Sequence, residues 1–167
     1  MIALEIKDIK DFMNKLLRSE IFDNFLLQEA TIISGVSYVI DGHITGEFYT
    51  EAESKELGIN NLSCMPYKHL RGQCFDLIKG KKTPLSFKFV FSLSPENQQK
   101  TIVASNSDYS DFDISGIFFN LKYQNQLLTL TTGMSYKKFS PDKSLEIYWD
   151  KMIQKFLIQH EISFEEL

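Results

Sequence analysis

Leu85-Ser86-Phe87-Lys88-Phe89-Val90-Phe91-Ser92-Leu93 alternates large apolar residues with small or polar ones. A period of two sends Leu85, Phe87, Phe89, Phe91 and Leu93 to one side of an extended chain. The other side is mostly polar, so the segment predicts a strand with one face buried and one in water. Such a strand requires paired neighbours and a layer over its phenylalanines. Downstream, Ser94-Pro95-Glu96 supplies the cap and first turn of a helix running to about Ala104. The polar, acidic stretch 105–113 reads as a loop. Residues 117–123 and 127–132 flank Gln124-Asn125-Gln126 as a hairpin, and 135–139 can add one more strand.

Upstream the pattern is similar. Residues 1–6 read as a short strand, and Asp8 caps a helix whose Ile9, Phe12, Met13, Leu16 and Leu17 recur at helical spacing. Residues 25–33 form a strand that turns at Ser34-Gly35 into a second one through Tyr38 and Ile40. Asp41-Gly42 then signals a hairpin turn with positive φ, leading to a third strand through Ile44, Phe48 and Tyr49. A helical segment covers 50–80: Thr50 and Glu53 have capping-box spacing, Gly58 closes the first piece, and Pro66 opens the second. Tyr67, Leu70, Cys74, Leu77 and Ile78 are the apolar stripe of that second piece, which Gly80 ends. The last helix spans 143–160, with Leu145, Trp149, Met152, Ile153, Phe156 and Leu157 on one face.

These elements predict an α+β fold, an antiparallel sheet built from hairpins with helices packed on it, in a single domain of 1–167. The 167 residues are 43% hydrophobic and include fourteen phenylalanines, which is globular rather than disordered composition. No apolar run approaches the roughly 20 residues a membrane-spanning helix needs. Glu5 interrupts the only apolar stretch near the start, and the two cysteines match no disulfide framework, so a cytoplasmic protein is expected.

Two portions share an order of elements. Residues 1–49 and 85–139 each read as β-α-β-β-β, separated by the helical insert 50–80. The landmarks Thr83-Pro84-Leu85-Ser86-Phe87-Lys88-Phe89, Ser94-Pro95-Glu96-Asn97 and the final helix around Trp149 resemble a small uncharacterised protein family of Firmicutes bacteria, a resemblance that brings no activity. The duplicated unit is in turn similar to one domain of a sliding DNA clamp. That likeness implies helices facing DNA, yet Asp8 and Asp11 dilute the basic residues of the first helix, and Glu96 opposes Lys100 in the second.

Charge is unevenly spread. Residues 1–60 carry five Lys/Arg against eleven Asp/Glu, residues 61–100 seven against two, and residues 101–167 six against nine. The basic middle contains Lys68, Arg71, Lys79, Lys81 and Lys82, which can act as phosphate point charges on nucleic acid or another anion. The plainer reading of 79–83 is a solvated link between helix and strand. A nucleotide-binding loop is excluded, because Phe75 stands where the motif requires glycine. Asp108, Asp111 and Asp113 are oxygen donors of the type a hard cation takes, or simple turn caps. His43, His69 and His160 form no metal pair, Cys74 lies on an apolar stripe, and no serine sits in a nucleophile elbow. Thr131 to Ser135 offer hydroxyls and a glycine, more in keeping with a bulge than a site.

No metal and no cofactor is expected. The sequence points to a non-catalytic binding or scaffold protein, clamp-like in one form, contacting nucleic acid or a protein partner. The alternative is a small-molecule enzyme with a pocket between sheet and helices. A third possibility is a subunit that self-associates through a sheet edge or the aromatic strand.

Overall fold

A computed structural model describes all 167 residues. The sheet has seven strands: β1 (Ala3–Ile6), β2 (Leu26–Ile33), β3 (Ser37–Asp41), β4 (Ser86–Ser92), β5 (Ile114–Gln124), β6 (Leu127–Tyr136) and β7 (Phe164–Glu166). They lie in the order β3-β2-β4-β5-β6-β1-β7, every neighbouring pair antiparallel. Five helices accompany it: α1 (Ile9–Arg18), α2 (Glu51–Leu57), α3 (Arg71–Ile78), α4 (Pro95–Ala104) and α5 (Ser144–Gln159). The fold is α+β.

The phenylalanine strand is β4, interior to the sheet. Phe87, Phe89 and Phe91 are buried, and Leu27, Ala30, Ile32, Phe119 and Leu121 lie level with them on β2 and β5. Phe91 and Phe119 stack 5.0 Å apart. Phe22, from the link between α1 and β2, contacts Phe12, Phe91 and Phe156, so rings from helix, strand and loop interlock. Twenty-seven buried residues form this core, from Leu4 to Ile162. On the opposite face, Lys88 stands directly across from Lys122 and both are exposed.

The local signals act as their chemistry requires. The side chain of Asp8 accepts from Asp11 N at 2.9 Å, Thr50 and Glu53 complete their reciprocal cap, and Ser94 caps α4. Asn125 and Gln126 both have positive φ, which closes the β5–β6 hairpin in a two-residue turn of the kind that matches strand twist.

Four expectations change. Asp41-Gly42 makes no hairpin, and no strand follows through Ile44, Phe48 and Tyr49; residues 46–48 form a 3₁₀ turn. Instead residues 63–66 wedge between the start of β2 and the chain leaving β3: Met65 N donates to Gly42 O, and Leu27 N donates to Met65 O. Glycine is needed at 42 for closeness, since an added Cβ would lie 1.7 Å from the Leu27 carbonyl oxygen. Pro66 opens only a 3₁₀ turn, and α3 begins at Arg71. Of the strand expected at 135–139, Ser135 and Tyr136 are the end of β6 and 137–139 lie outside any strand. Finally, neither portion of the expected repeat has its third strand. Both read β-α-β-β, and their pairing differs, because β4 lies beside β5 whereas β1 lies between β6 and β7. No helix is long and apolar enough to cross a membrane.

Candidate functional site

The basic residues singled out in the sequence are not gathered at one point. Lys68 is exposed in the 3₁₀ turn, and Lys81 and Lys82 are exposed in the link to β4; none of the three is in an ion pair. The Arg71 guanidinium is committed, with Nε donating to Asp23 Oδ1 at 2.9 Å and Nη2 to Oδ2 at 3.1 Å. Lys79 pairs with Asp76 at 3.1 Å, and its ammonium lies 5.0 Å from the centre of the Phe75 ring. Arg18, from α1, lies 5.2 Å from the same ring. α1 and α3 therefore meet at a basic edge where Arg18 and Lys79 share the Phe75 ring, Lys81 and Lys82 follow in the chain, and Lys68 stands at the other end of α3.

The other polar candidates have local partners. Asp113 accepts from Ser110, Asp111 from Gln98, and the backbone of Asp108 donates to Asp142. The Ser110 backbone and hydroxyl hold the Asp113 carboxyl below its ordinary range. His43 Nδ1 is 2.6 Å from Asp41, and His69 Nε2 is 3.2 Å from the Leu57 carbonyl. Burial pushes the Cys74 thiol up to about 12, which removes its thiolate at neutral pH. No three His, Cys, Asp or Glu side chains converge.

A cleft of about 600 Å³ lies elsewhere, between α4, α5 and residues 20–25. α4 turns Asn97, Lys100, Thr101 and Ala104 toward it, a spacing that shares one helical face. The apolar stripe of α5 is wider than contact with the sheet requires. Leu145, Trp149, Ile153 and Leu157 are buried, while Met152 and Phe156 are left on the cleft side. Phe25 closes the floor, edge-on to Phe156 and Phe119 at 5.5 and 4.9 Å. At the rim, Lys100 donates to Glu96 at 2.7 Å, and His160 packs on Phe156 at the end of α5.

Behind the cleft, a polar seam fastens α5 to β6. The buried Thr132 hydroxyl donates to Asp150 at 2.5 Å and accepts from Ile2 N. The Tyr136 hydroxyl donates to Glu146 at 2.8 Å, and Lys143 reaches the same carboxylate. Trp149 Nε1 donates to the Phe118 carbonyl at 2.8 Å, which fixes the indole between the cleft and a smaller cavity of about 250 Å³. Thr132, in the stretch 131–135 expected to be a bulge rather than a site, is thus an anchor of the cleft wall.

Residues 15–165 match a family described as a family of unknown function, DUF5721. The chain belongs to that family. No curated protein and no solved structure matches it. The DUF5721 match covers every cleft-lining residue and the α1–α3 basic edge from Lys15 onward, and leaves out β1.

The sequence did not disclose the cleft, because its lining comes from three separated segments: 20–25, 93–104 and 148–160. One signal was available, the six-residue breadth of the α5 apolar face.

Proposed function

We propose that the chain is a non-catalytic binding protein whose cleft between α4 and α5 takes a small, mainly apolar molecule with one anionic end. The observation that carries this reading is the cleft itself. Its volume falls in the range of small-molecule sites, and nine of its fifteen lining residues are apolar, Trp149, Phe156, Phe25, Met152 and Ile21 among them. Lys100, whose ammonium is shared with Glu96, and the His160 ring stand on one side of the rim, where an anionic end could be met. Neither serine nor cysteine lines the cleft, and the Thr101 hydroxyl donates to the Asn97 carbonyl. That lining favours binding over the enzymatic alternative.

Trp149 is the chain's only tryptophan and therefore a direct reporter. Titration with dodecanoate is expected to change its emission saturably. Met152→Lys should abolish the response, and Lys100→Ala should weaken dodecanoate more than dodecanol. Unchanged emission together with no heat of binding in calorimetry would sink the reading.

A second reading, contact with nucleic acid, is favoured by the unpaired Lys81 and Lys82 that follow Lys79 at the edge where Arg18 also lies, with Lys68 unpaired at the far end of α3. In a clamp-like form α1 and α4 would face the duplex, but Glu96 there engages Lys100 and Asp11 engages Lys15. The α1–α3 edge is the better candidate. With about four phosphate contacts, the log-log salt slope on duplex DNA should be about −3 to −4, and Lys81→Ala with Lys82→Ala should flatten it. Affinity independent of salt counts against this second reading.

A further inference from the structure

The two edges of the sheet are finished differently. β7 is three residues long and ends in Glu165 and Glu166, a short charged edge that discourages pairing. β3 has five residues, Ser37-Tyr38-Val39-Ile40-Asp41, with no lysine, proline or bulge. It is exposed at every position except Ile40, and Val39 is 67% exposed.

Gly42 N donates to Gln28 O, so residues 28 and 42 form a hydrogen-bonded pair of the antiparallel ladder. Alternation then makes Ile40 with Ala30, and Tyr38 with Ile32, the next bonded pairs. The N–H and C=O groups of Ser37, Val39 and Asp41 consequently point away from β2, and no turn or loop contact takes them up.

We infer that β3 is the docking edge for a second copy of this chain, joined antiparallel about a two-fold axis at Val39. In that register the outward groups of Ser37, Val39 and Asp41 all find partners, about six hydrogen bonds in total. Ser37 stands opposite the partner's Asp41, whose Oδ1 is engaged by its own His43 and whose Oδ2 can accept from the serine hydroxyl. Tyr38 meets the partner's Ile40 on the helix-bearing side, and Val39 meets its counterpart on the open side. A one-residue slip turns the wrong backbone groups inward. A two-residue slip toward Asp41 sets Asp41 against the partner's Val39 and leaves Ser37 beyond the partner's strand end, and the opposite slip leaves Asp41 beyond it, so either keeps about four of the six bonds. Only the register centred on Val39 pairs every outward group of β3, which favours a second copy over an unrelated strand. The aromatic strand, also expected as a self-association surface, is excluded because β4 is interior and its phenylalanines are buried. An edge this short buries less than a permanent dimer needs, so association is concentration-dependent.

Sedimentation velocity on the full chain from about 1 to about 500 µM tests this. The expected result is a monomer at the low end and a dimer at the high end. Val39→Pro deletes one outward N–H and spares β2, because Val39 faces Thr31 in a non-bonded pair. It should hold the chain monomeric with an unchanged circular dichroism spectrum. Val39→Lys, which leaves the backbone intact, opposes two ammonium groups at the axis and should act alike. Ser37→Lys places a cation against the partner's Asp41 and should tighten the dimer about fivefold at low salt. A chain monomeric at the highest concentration, or a dimer indifferent to both Val39 substitutions, overturns the inference.

Discussion

Glu146 shows how a single carboxylate couples the seam to acidity. Burial is the largest influence on it and pushes its pKa up, but hydrogen bonds from Tyr136 and Lys143 outweigh burial and hold it below the ordinary 4.5. A carboxyl lowered by folding contributes stability above the unfolded value and loses it as pH falls through the folded one. Stability should therefore decline below about pH 4.5, and Glu146→Gln should flatten that decline in urea unfolding followed from pH 3 to 6, values set by the ordinary carboxyl range. Tyr136→Phe removes the hydroxyl donor, so the Glu146 titration read by NMR should move up, with a loss of about 1–2 kcal/mol. Arg71 separates structure from binding in the same way. Its fork onto the nearly buried Asp23 predicts that Arg71→Ala costs about 2 kcal/mol in denaturant unfolding. If the variant instead lost DNA affinity at full stability, the pairing with Asp23 would not be its main role.

At the scale of elements, legibility followed the range over which the determining interaction acts. The period-two run of β4, the Ser94 cap and the Thr50–Glu53 box are local, and each formed where its spacing placed it. Asp41-Gly42 misled because its glycine serves a long-range contact. What decides that position is the approach of residues 63–66 and the Leu27 carbonyl, which no local window contains. Gly42→Ala should cost about 3 kcal/mol, since backbone rather than a yielding side chain occupies the space. β7 was missed because three residues carry too little pattern to register. At the β5–β6 turn, Gln126 holds φ 63 without being glycine. Gln126→Gly should raise stability by about 1 kcal/mol, seen as a higher thermal midpoint, provided the two-residue turn is retained.

For the whole molecule, one face of the sheet carries the core and the helices, while the other presents Lys88, Lys122 and a polar surround to solvent. The cleft lies among the helices and the free β3 edge at the side of the sheet, so ligand binding and self-association are assigned to different surfaces. Variants of one should leave the other unchanged. Dodecanoate titration of Val39→Lys and sedimentation of Met152→Lys check that independence. A pocket between sheet and helices and a sheet edge were both expected, but the residues that form them could not be read from the linear pattern, because each depends on which segments the topology leaves uncovered.

β1 is paired with β6 on one side and β7 on the other. The backbone of Ile2 reaches a hydroxyl 130 positions further along the chain. During synthesis β1 must wait, without a neighbour, until β6 and β7 have left the ribosome. The sheet can then grow outward from its middle hairpin before β1 is sealed in, which makes the waiting segment the one most in need of a chaperone's cover.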